Sequence, residues 1–329
     1  MAQWCQARPS AGARLLQPLS WLYGALFALR SRLFDLGVFQ TVPSKVPVIV
    51  VGNLVAGGAG KTPTVIALVT WLQSQGRRVG VISRGHGRVD TALRLVTSES
   101  APTDVGDEPL LIHLRTGAPV AVGRDRAAAV ALLCRAHPPV NIIVADDGLQ
   151  HRRLGRSVEV LLFDDRGVGN GLLLPAGPLR QTLPSASAFA GLVLYTNGQA
   201  STKLAGHTGH RRLVGLVPLG PWWADPKAEA QPLSVLVGQP VVAAAGLARP
   251  EAFFDMLDAA GLSVARLPLP DHDQLAQLPW MGTQSQVIVT EKDAVKLRPD
   301  RPGCERVWVA RLDFMPEPAF FTALAARLA

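Results

Sequence analysis

Cysteine is scarce in this chain of 329 residues: Cys5, Cys134 and Cys304 lie far apart, with no C-x-x-C pair among them. That excludes a disulfide framework and a cysteine zinc site, and it fits a reducing compartment. Long apolar runs are missing too. The stretch between Arg14 and Arg30 is too short to span a bilayer comfortably. No clear small-residue cleavage site follows it, which argues against a removable signal peptide. There is no internal repeat and no low-complexity tract. Acidic residues are outnumbered, 25 Asp and Glu against 33 Lys and Arg, for a net charge of +8. Such a balance suits nucleic acid, an anionic membrane surface or a phosphorylated substrate, and charge alone does not choose among them. What is plentiful points to a compact fold: 48% of residues are apolar, with 31 Gly and 26 Pro, in a chain long enough for two domains.

The most informative segment is Val46 to Pro63, VPVIVVGNLVAGGAGKTP. Its apolar run reads as a buried parallel strand, and TVIALVTWLQ after it as a helix. Between them stand Gly57, Gly58, Ala59, Gly60, Lys61, Thr62 and Pro63. Strand, glycine loop, Lys-Thr and helix are the parts of a phosphate cradle for a nucleoside triphosphate. Glycines let backbone N–H groups turn around an anion, Lys61 brings charge to the outer phosphates, and the Thr62 hydroxyl is placed to ligate Mg²⁺. The usual spacing asks for glycine at position 55, where this chain has Val55.

Upstream, Leu15, Leu19, Leu22, Leu26, Leu29 and Leu33 recur at steps of four and three, on one face of a helix. Trp21, Tyr23, Phe27 and Phe34 widen that face, and Arg14, Arg30 and Arg32 flank it. Pro18 is expected to sit in the first turn. The pattern is that of a helix resting in the interface of an anionic membrane; packing of the same face as core is the competing reading. Downstream, RVGVIS, PVAVG, VNIIVADDG, VEVLLFDD and GLVLYT read as strands alternating with helices. That is the pattern of a doubly wound, mostly parallel α/β sheet of the P-loop NTPase kind, whose ligands bind beyond the carboxyl ends of the strands. From Gly198 to Asp225 the pattern loosens, as in a connection to a second, smaller α/β domain. The expected organisation is a leading helix over 1–40, a phosphate-loop core over 41–215 and the smaller domain over 216–329.

Asp146 and Asp147 end an apolar strand, where phosphate-loop enzymes place the carboxylate that holds Mg²⁺ or its waters. Gln150 and His151 add polar groups to the same turn. Asp107 and Glu108, after Gly106, read by themselves as an acidic helix start. Asp271, His272 and Asp273 read by themselves as a turn.

The ordered series VGNLVAGGAGKTP, SRGHGR, GDEP, GRDR, ADDGLQHRRL, LLPAGPLR, PDHD and TEKDAVKL resembles the tetraacyldisaccharide 4′-kinases of lipid A synthesis over almost the full length. The resemblance implies a membrane-associated kinase, peripheral or monotopic, on the cytoplasmic face of a bacterial inner membrane. It would move the γ-phosphate of ATP to the 4′-hydroxyl of a tetraacylated glucosamine disaccharide 1-phosphate, with Mg²⁺, forming lipid IVA. It implies Lys61 and Thr62 at the phosphates and magnesium, Asp107 as the catalytic carboxylate and His272 as its partner. Asp146, Asp147, Gln150 and His151 fall on the second acidic motif, with Asp146, Asp147 and Gln150 at the metal. Glu108, Arg84, Arg126, Arg180 and His151 are the substrate-side residues. The family often has a second His where this chain has Asp273, and TEKD matches without implying a chemical role. An acidic lipid substrate accounts for the basic balance, which leaves nucleic acid unnecessary. Two alternatives remain. A phosphate-loop GTPase or metallochaperone would ordinarily need an Asn-Lys-x-Asp, which is absent; a membrane-associated nucleotide switch would leave GDEP and PDHD without work.

Overall fold

The structure, a computed structural model, describes residue 4 and residues 9–58, 60–185 and 189–328. Helix α1 (Ala11–Asp35) opens at Ser10, whose hydroxyl accepts from the Ala13 amide at 3.2 Å. Pro18 lies inside this helix rather than in its first turn, because the helix begins at Ala11, seven residues before it. The missing Pro18 N–H costs one hydrogen bond, a loss best tolerated on a solvent-facing side, and Pro18 is exposed.

Then come β1 (Val48–Asn53), with all six residues buried, α2 (Lys61–Ser74) and β2 (Val79–Ser83). Next are β3 (Arg94–Val96), α3 (Pro102–Val105), α4 (Asp107–Thr116) and β4 (Val120–Val122). Helix α5 (Arg126–Ala136) is capped by the Asp125 carboxylate and leads to β5 (Ile142–Asp146), β6 (Val158–Phe163) and β7 (Leu192–Tyr195). A long β8 (His207–Pro218) and α6 (Leu219–Ala224) follow, where a loose connection was expected. The chain continues through β9 (Val241–Ala245), α7 (Glu251–Ala259), β10 (Val264–Pro268), β11 (Gln286–Thr290), α8 (Glu291–Ala294), β12 (Val307–Pro316) and α9 (Pro318–Leu328).

These elements form two compact units that interleave along the chain: residues 1–84, 125–210 and 314–329 make the first, and residues 85–124 and 211–313 the second. Continuous boundaries near 40 and 215 do not describe this, because residues 85–124 cluster with the later half of the chain and the last helix returns to the first unit.

In the first unit β2, β5, β1, β6 and β7 lie side by side and parallel, with Val51 of β1 level with Asp146 of β5. Parallel strands covered on both faces are apolar throughout, and β1, β2, β5 and β7 are wholly buried. Helix α9 closes one side, with Phe321 stacked on Trp71 of α2 at 4.9 Å. Helix α1 docks through Ser20, Tyr23 and Gly24, so Tyr23 lies on the docked side rather than widening the leucine face. The Ser20 hydroxyl donates to Leu173 O (2.8 Å) and accepts from Ala176 N (3.0 Å), the Tyr23 hydroxyl donates to Arg180 O (2.7 Å), and a Cβ on Gly24 would meet Leu173 at 2.8 Å. Its leucine face is left bare, with Leu15 82% and Trp21 68% exposed, and Leu19, Leu22, Leu26 and Leu29 each more than half exposed. No helix among the described residues is long and apolar enough to cross a membrane.

The second unit holds the parallel strands β10, β9, β11 and β12, and the antiparallel pair β3–β4. Its core gathers Phe253, Phe254 and Leu257 of α7 with Val241, Ala243, Ala245 and Ile288.

Candidate active site

Each unit carries one cluster of the residues singled out above. In the first unit, β1 ends at Asn53, which is completely buried. Its amide nitrogen donates to Val55 O (2.6 Å) and Gly57 O (3.3 Å), and its oxygen accepts from Lys61 Nζ (3.3 Å). One buried amide therefore fastens the start of the loop, its middle and its cation. Val55 is buried and bridges antiparallel to Leu179, with Ala56 N donating to Pro178 O (2.8 Å) and Arg180 N to Leu54 O (2.7 Å). Position 55 is thus extended, paired backbone, which a β-branched side chain suits and glycine would weaken. Farther on, Gly57 and Gly60 adopt φ of 96° and 80°, where a side chain would be strained. Ala59 lies outside the described residues. Gly58 O accepts from Arg166 at 2.8 Å, and Arg166 is gripped by the Asp164 carboxylate at the end of β6.

Helix α2 starts at Lys61 without a side-chain cap, so its first N–H groups are disposed to meet anionic oxygens. Pro63 in that first turn sacrifices no helical hydrogen bond. Thr62 is buried. Lys61 lies 3.8 Å from Asp147, which also takes Arg180 at 3.1 Å. Burial by itself would raise the Asp147 pKa, but Lys61, Arg180 and Arg126 prevail and hold it below the usual carboxylate range. Asp146 is buried, and its carboxylate accepts from the Ser83 hydroxyl at 3.1 Å. The Gln150 amide nitrogen donates to Asn53 O (3.4 Å) and to the Gln181 amide oxygen (3.3 Å), which braces the end of β1. Arg84 is exposed just past β2, and Arg126 is buried at the start of α5. Burial, with Arg126, Arg30, Arg84 and Arg156 nearby, pushes the His151 pKa down to about 4, so its ring is neutral at physiological pH.

In the second unit Asp107 opens α4 directly after Gly106, whose φ is 92°. A Cβ there would stand 3.0 Å from Gly85 Cα and 3.1 Å from His86 O. The SRGHGR and GDEP segments therefore meet backbone to backbone, which only glycine permits. Asp107 is 5% exposed. One carboxylate oxygen lies 2.9 Å from His272 Nδ1; the other accepts from Glu108 N at 2.9 Å. These two residues stand 165 positions apart in sequence. Burial by itself would raise the Asp107 pKa, but His272, Lys292 and Lys296 outweigh it and keep the carboxyl below its ordinary value. Its hydrogen bond to Asp107 raises the His272 pKa, against burial and Lys292.

The TEKD segment supplies what the sequence reading missed. The Thr290 hydroxyl and Asp293 carboxylate bond each other at 2.7 Å, and Asp293 holds Gly246 N (3.0 Å) and Lys296 (2.9 Å). Glu291 turns inward to Arg115 of α4 at 2.5 Å and accepts from the Trp222 indole at 3.3 Å, and Arg115 also takes Asp313 at 2.6 Å. That buried network locks α8 to α4. It leaves Lys292 within 3.1 Å of Asp271, 3.4 Å of Glu108 and 3.2 Å of His272 Nε2, with Lys296 3.7 Å from Asp107. Also missed were Asn53 and Arg166; their signals are an amide closing a wholly apolar strand and Asp164-Asp165-Arg166 just after another.

The sequence matches the family model described as tetraacyldisaccharide-1-P 4′-kinase over residues 12–329. This chain belongs to the tetraacyldisaccharide 4′-kinase family. It is 54% identical to the tetraacyldisaccharide 4′-kinase of Methylibium petroleiphilum, covering 99% of this chain and 92% of that one. With the Leptothrix cholodnii enzyme of the same name it shares 51% identity over 95% of this chain and 91% of the relative. The crystal structure of Aquifex aeolicus LpxK in complex with ATP superposes with a TM-score of 0.80 at 27% identity, covering 96% of this chain and 99% of that one. The P-loop NTPase-like fold expected of a 4′-kinase is the fold observed.

Among the described residues no group of three or more His, Cys, Asp or Glu is arranged to hold a metal ion. A magnesium ion that arrives with a nucleotide asks for less, since it keeps phosphate oxygens and waters and takes only one or two protein oxygens. The buried Thr62 hydroxyl and Asp146 carboxylate of this kinase are hard oxygen donors at the ends of neighbouring elements, and they fit such an ion.

Proposed function

We infer that this chain is the ATP-dependent kinase that phosphorylates the 4′-hydroxyl of a tetraacylated glucosamine disaccharide 1-phosphate, the step that yields lipid IVA. The observation that carries this reading is the Asp107–His272 pair. A buried carboxylate kept anionic, oriented by an imidazole and flanked by two lysines, is a proton acceptor, for which a GTPase, metallochaperone or nucleotide switch has no use.

The glycine loop and the bare start of α2 take the β- and γ-phosphates of ATP, and Lys61 and Arg180 bring positive charge to them. Thr62 and Asp146 would hold Mg²⁺, which supplies further neutralisation of phosphate charge. Asp107 accepts the proton of the sugar hydroxyl as the new O–P bond forms and the bond from the γ-phosphorus to the bridging oxygen of ADP breaks. His272 keeps the Asp107 carboxylate aimed. Arg84 and Arg126 suit the substrate's own 1-phosphate, with neutral His151 placed to hydrogen-bond the sugar and Glu108, ion-paired to Lys292, beside it. The test is γ-phosphate transfer from ATP followed by mass spectrometry of the lipid. Product that forms only with added disaccharide lipid supports the reading; ATP hydrolysis indifferent to that lipid overturns it.

The same reading puts α1 on the cytoplasmic face of the inner membrane. The argument is its bare row of Leu15, Leu19, Leu22, Leu26 and Leu29 beside Trp21, on a helix whose opposite side is anchored through Ser20 and Tyr23. Replacing Leu22 and Leu26 by Ser should weaken sedimentation with anionic vesicles while leaving the fold intact; unchanged vesicle binding would remove α1 from that role.

A further inference from the structure

Lys292 belongs to a motif that the proposed reaction does not use, yet its ammonium reaches the far nitrogen of the His272 imidazole. His272 is bracketed: Nδ1 faces the Asp107 carboxylate at 2.9 Å and Nε2 faces Lys292 Nζ at 3.2 Å. An ammonium has only donors to offer. At hydrogen-bond distance from Nε2 it requires that nitrogen to be an acceptor, so the ring proton must sit on Nδ1, directed at Asp107. An imidazolium would turn a second N–H toward a cation. Lys292 itself stays charged: burial lowers its pKa, but Glu108, Asp107 and Asp271 outweigh burial and raise it.

We propose that Lys292 is a positioning residue of the transfer reaction, holding His272 neutral in its Nδ1–H form and limiting how far Asp107 can raise the proton affinity of the ring. The inference rests on the role given to the Asp107–His272 pair above. The charged and titratable groups around the ring come from every side. Asp107 and Glu108 lie on α4, Asp271 on the ring's own turn, Lys292 on α8 with Lys296 just beyond it, and His86 stands with its ring 5.0 Å away. The carboxylates draw a proton onto His272 and the two lysines oppose it. Below the His272 pKa, Lys292 has Asp271 and Glu108 to retreat to, at 3.1 and 3.4 Å. The α4–α8 lock through Arg115 and Glu291 keeps Lys292 from drifting away from the ring.

The consequence is a sign. Removing the cation lets Asp107 act unopposed, so the His272 pKa rises in Lys292→Met, and the acid limb of kcat/KM against pH moves up with it. A shift of about one pH unit is the size expected for one neighbouring charge. Lys292→Arg keeps the charge and should leave the limb where it is. His272 is read directly by NMR titration of 13C-labelled histidine, with His272→Gln to assign the signal, so the answer does not depend on turnover. A His272 pKa that rises together with the acid limb in Lys292→Met supports the proposal. An unchanged pKa, or a uniform loss of activity at every pH, overturns it and leaves Lys292 a packing residue. Should Lys292→Met not fold, Lys292→Gln provides the same neutral comparison. Full activity of Asp107→Asn would instead overturn the function proposed for the pair, while the His272 titration would still report on Lys292.

Discussion

The loop after β1 and the cluster around Asp107 hold their key groups in opposite ways. The loop is local. Asn53, Gly57, Gly60, Lys61 and Thr62 fall within ten residues, and the buried Asn53 amide ties Val55, Gly57 and Lys61 together. The Asp107 cluster is built from three distant stretches: the start of α4, the turn at His272 and the TEKD helix, drawn together by ion pairs. The loop's conformation is set first by its own glycines and Asn53, with Arg166, Gln150 and the 178–180 segment as outside supports. A device assembled from remote parts depends on every element that carries one.

The largest effect should come from Asp107→Asn. It is nearly isosteric, so ATP affinity should hold while kcat falls roughly 10²–10⁴-fold. His272→Ala should also lose turnover, and the double variant should be barely worse than the poorer single one, as for residues acting as a unit. Losses that simply multiply would mean that the two act separately. Glu291→Ala tests the remote wiring by leaving Arg115 buried without its main partner, at a cost of about 3–5 kcal/mol by denaturant titration. If turnover disappears with no loss of stability, Glu291 takes part in more than the lock. Lys61→Ala should cut turnover by roughly 10²-fold in a folded protein, and near-normal activity would remove the loop from phosphate binding. The smallest functional change belongs to Val55→Gly. It restores the usual glycine but empties a buried, paired position, so stability should drop by about 2 kcal/mol while ATP affinity stays within about twofold. A marked gain in ATP affinity would show that position 55 is part of the cradle.

The same contrast explains what could be read from sequence. The strands of the first unit were legible because buried parallel strands are continuous apolar runs. The loop was legible because its residues are consecutive. Strand β8 was not: HTGHRRLVGLVP mixes His, Arg and Gly. Gly209 is there because a Cβ would strike the Phe314 ring at 2.5 Å, and Gly215 because one would strike Gln231 O at 2.3 Å. Close approach selected residues that disguise a strand as a loop. Asp107 and His272 each read alone as a helix start and a turn, and only family resemblance paired them. Lys292 had no signal beyond TEKD itself, because its meaning lies in which atoms it meets.

The interleaving of the units limits how such a protein can be cut, copied or recombined. The chain passes from one unit to the other after Arg84, Arg124, His210 and Asp313. No single cleavage frees either unit, and neither exists as one uninterrupted stretch that a gene could lend to another protein. A crossover between two related genes at any one point joins parts of both parents within at least one unit. Variation can therefore spread through this fold residue by residue, but the two units cannot be traded as separate pieces.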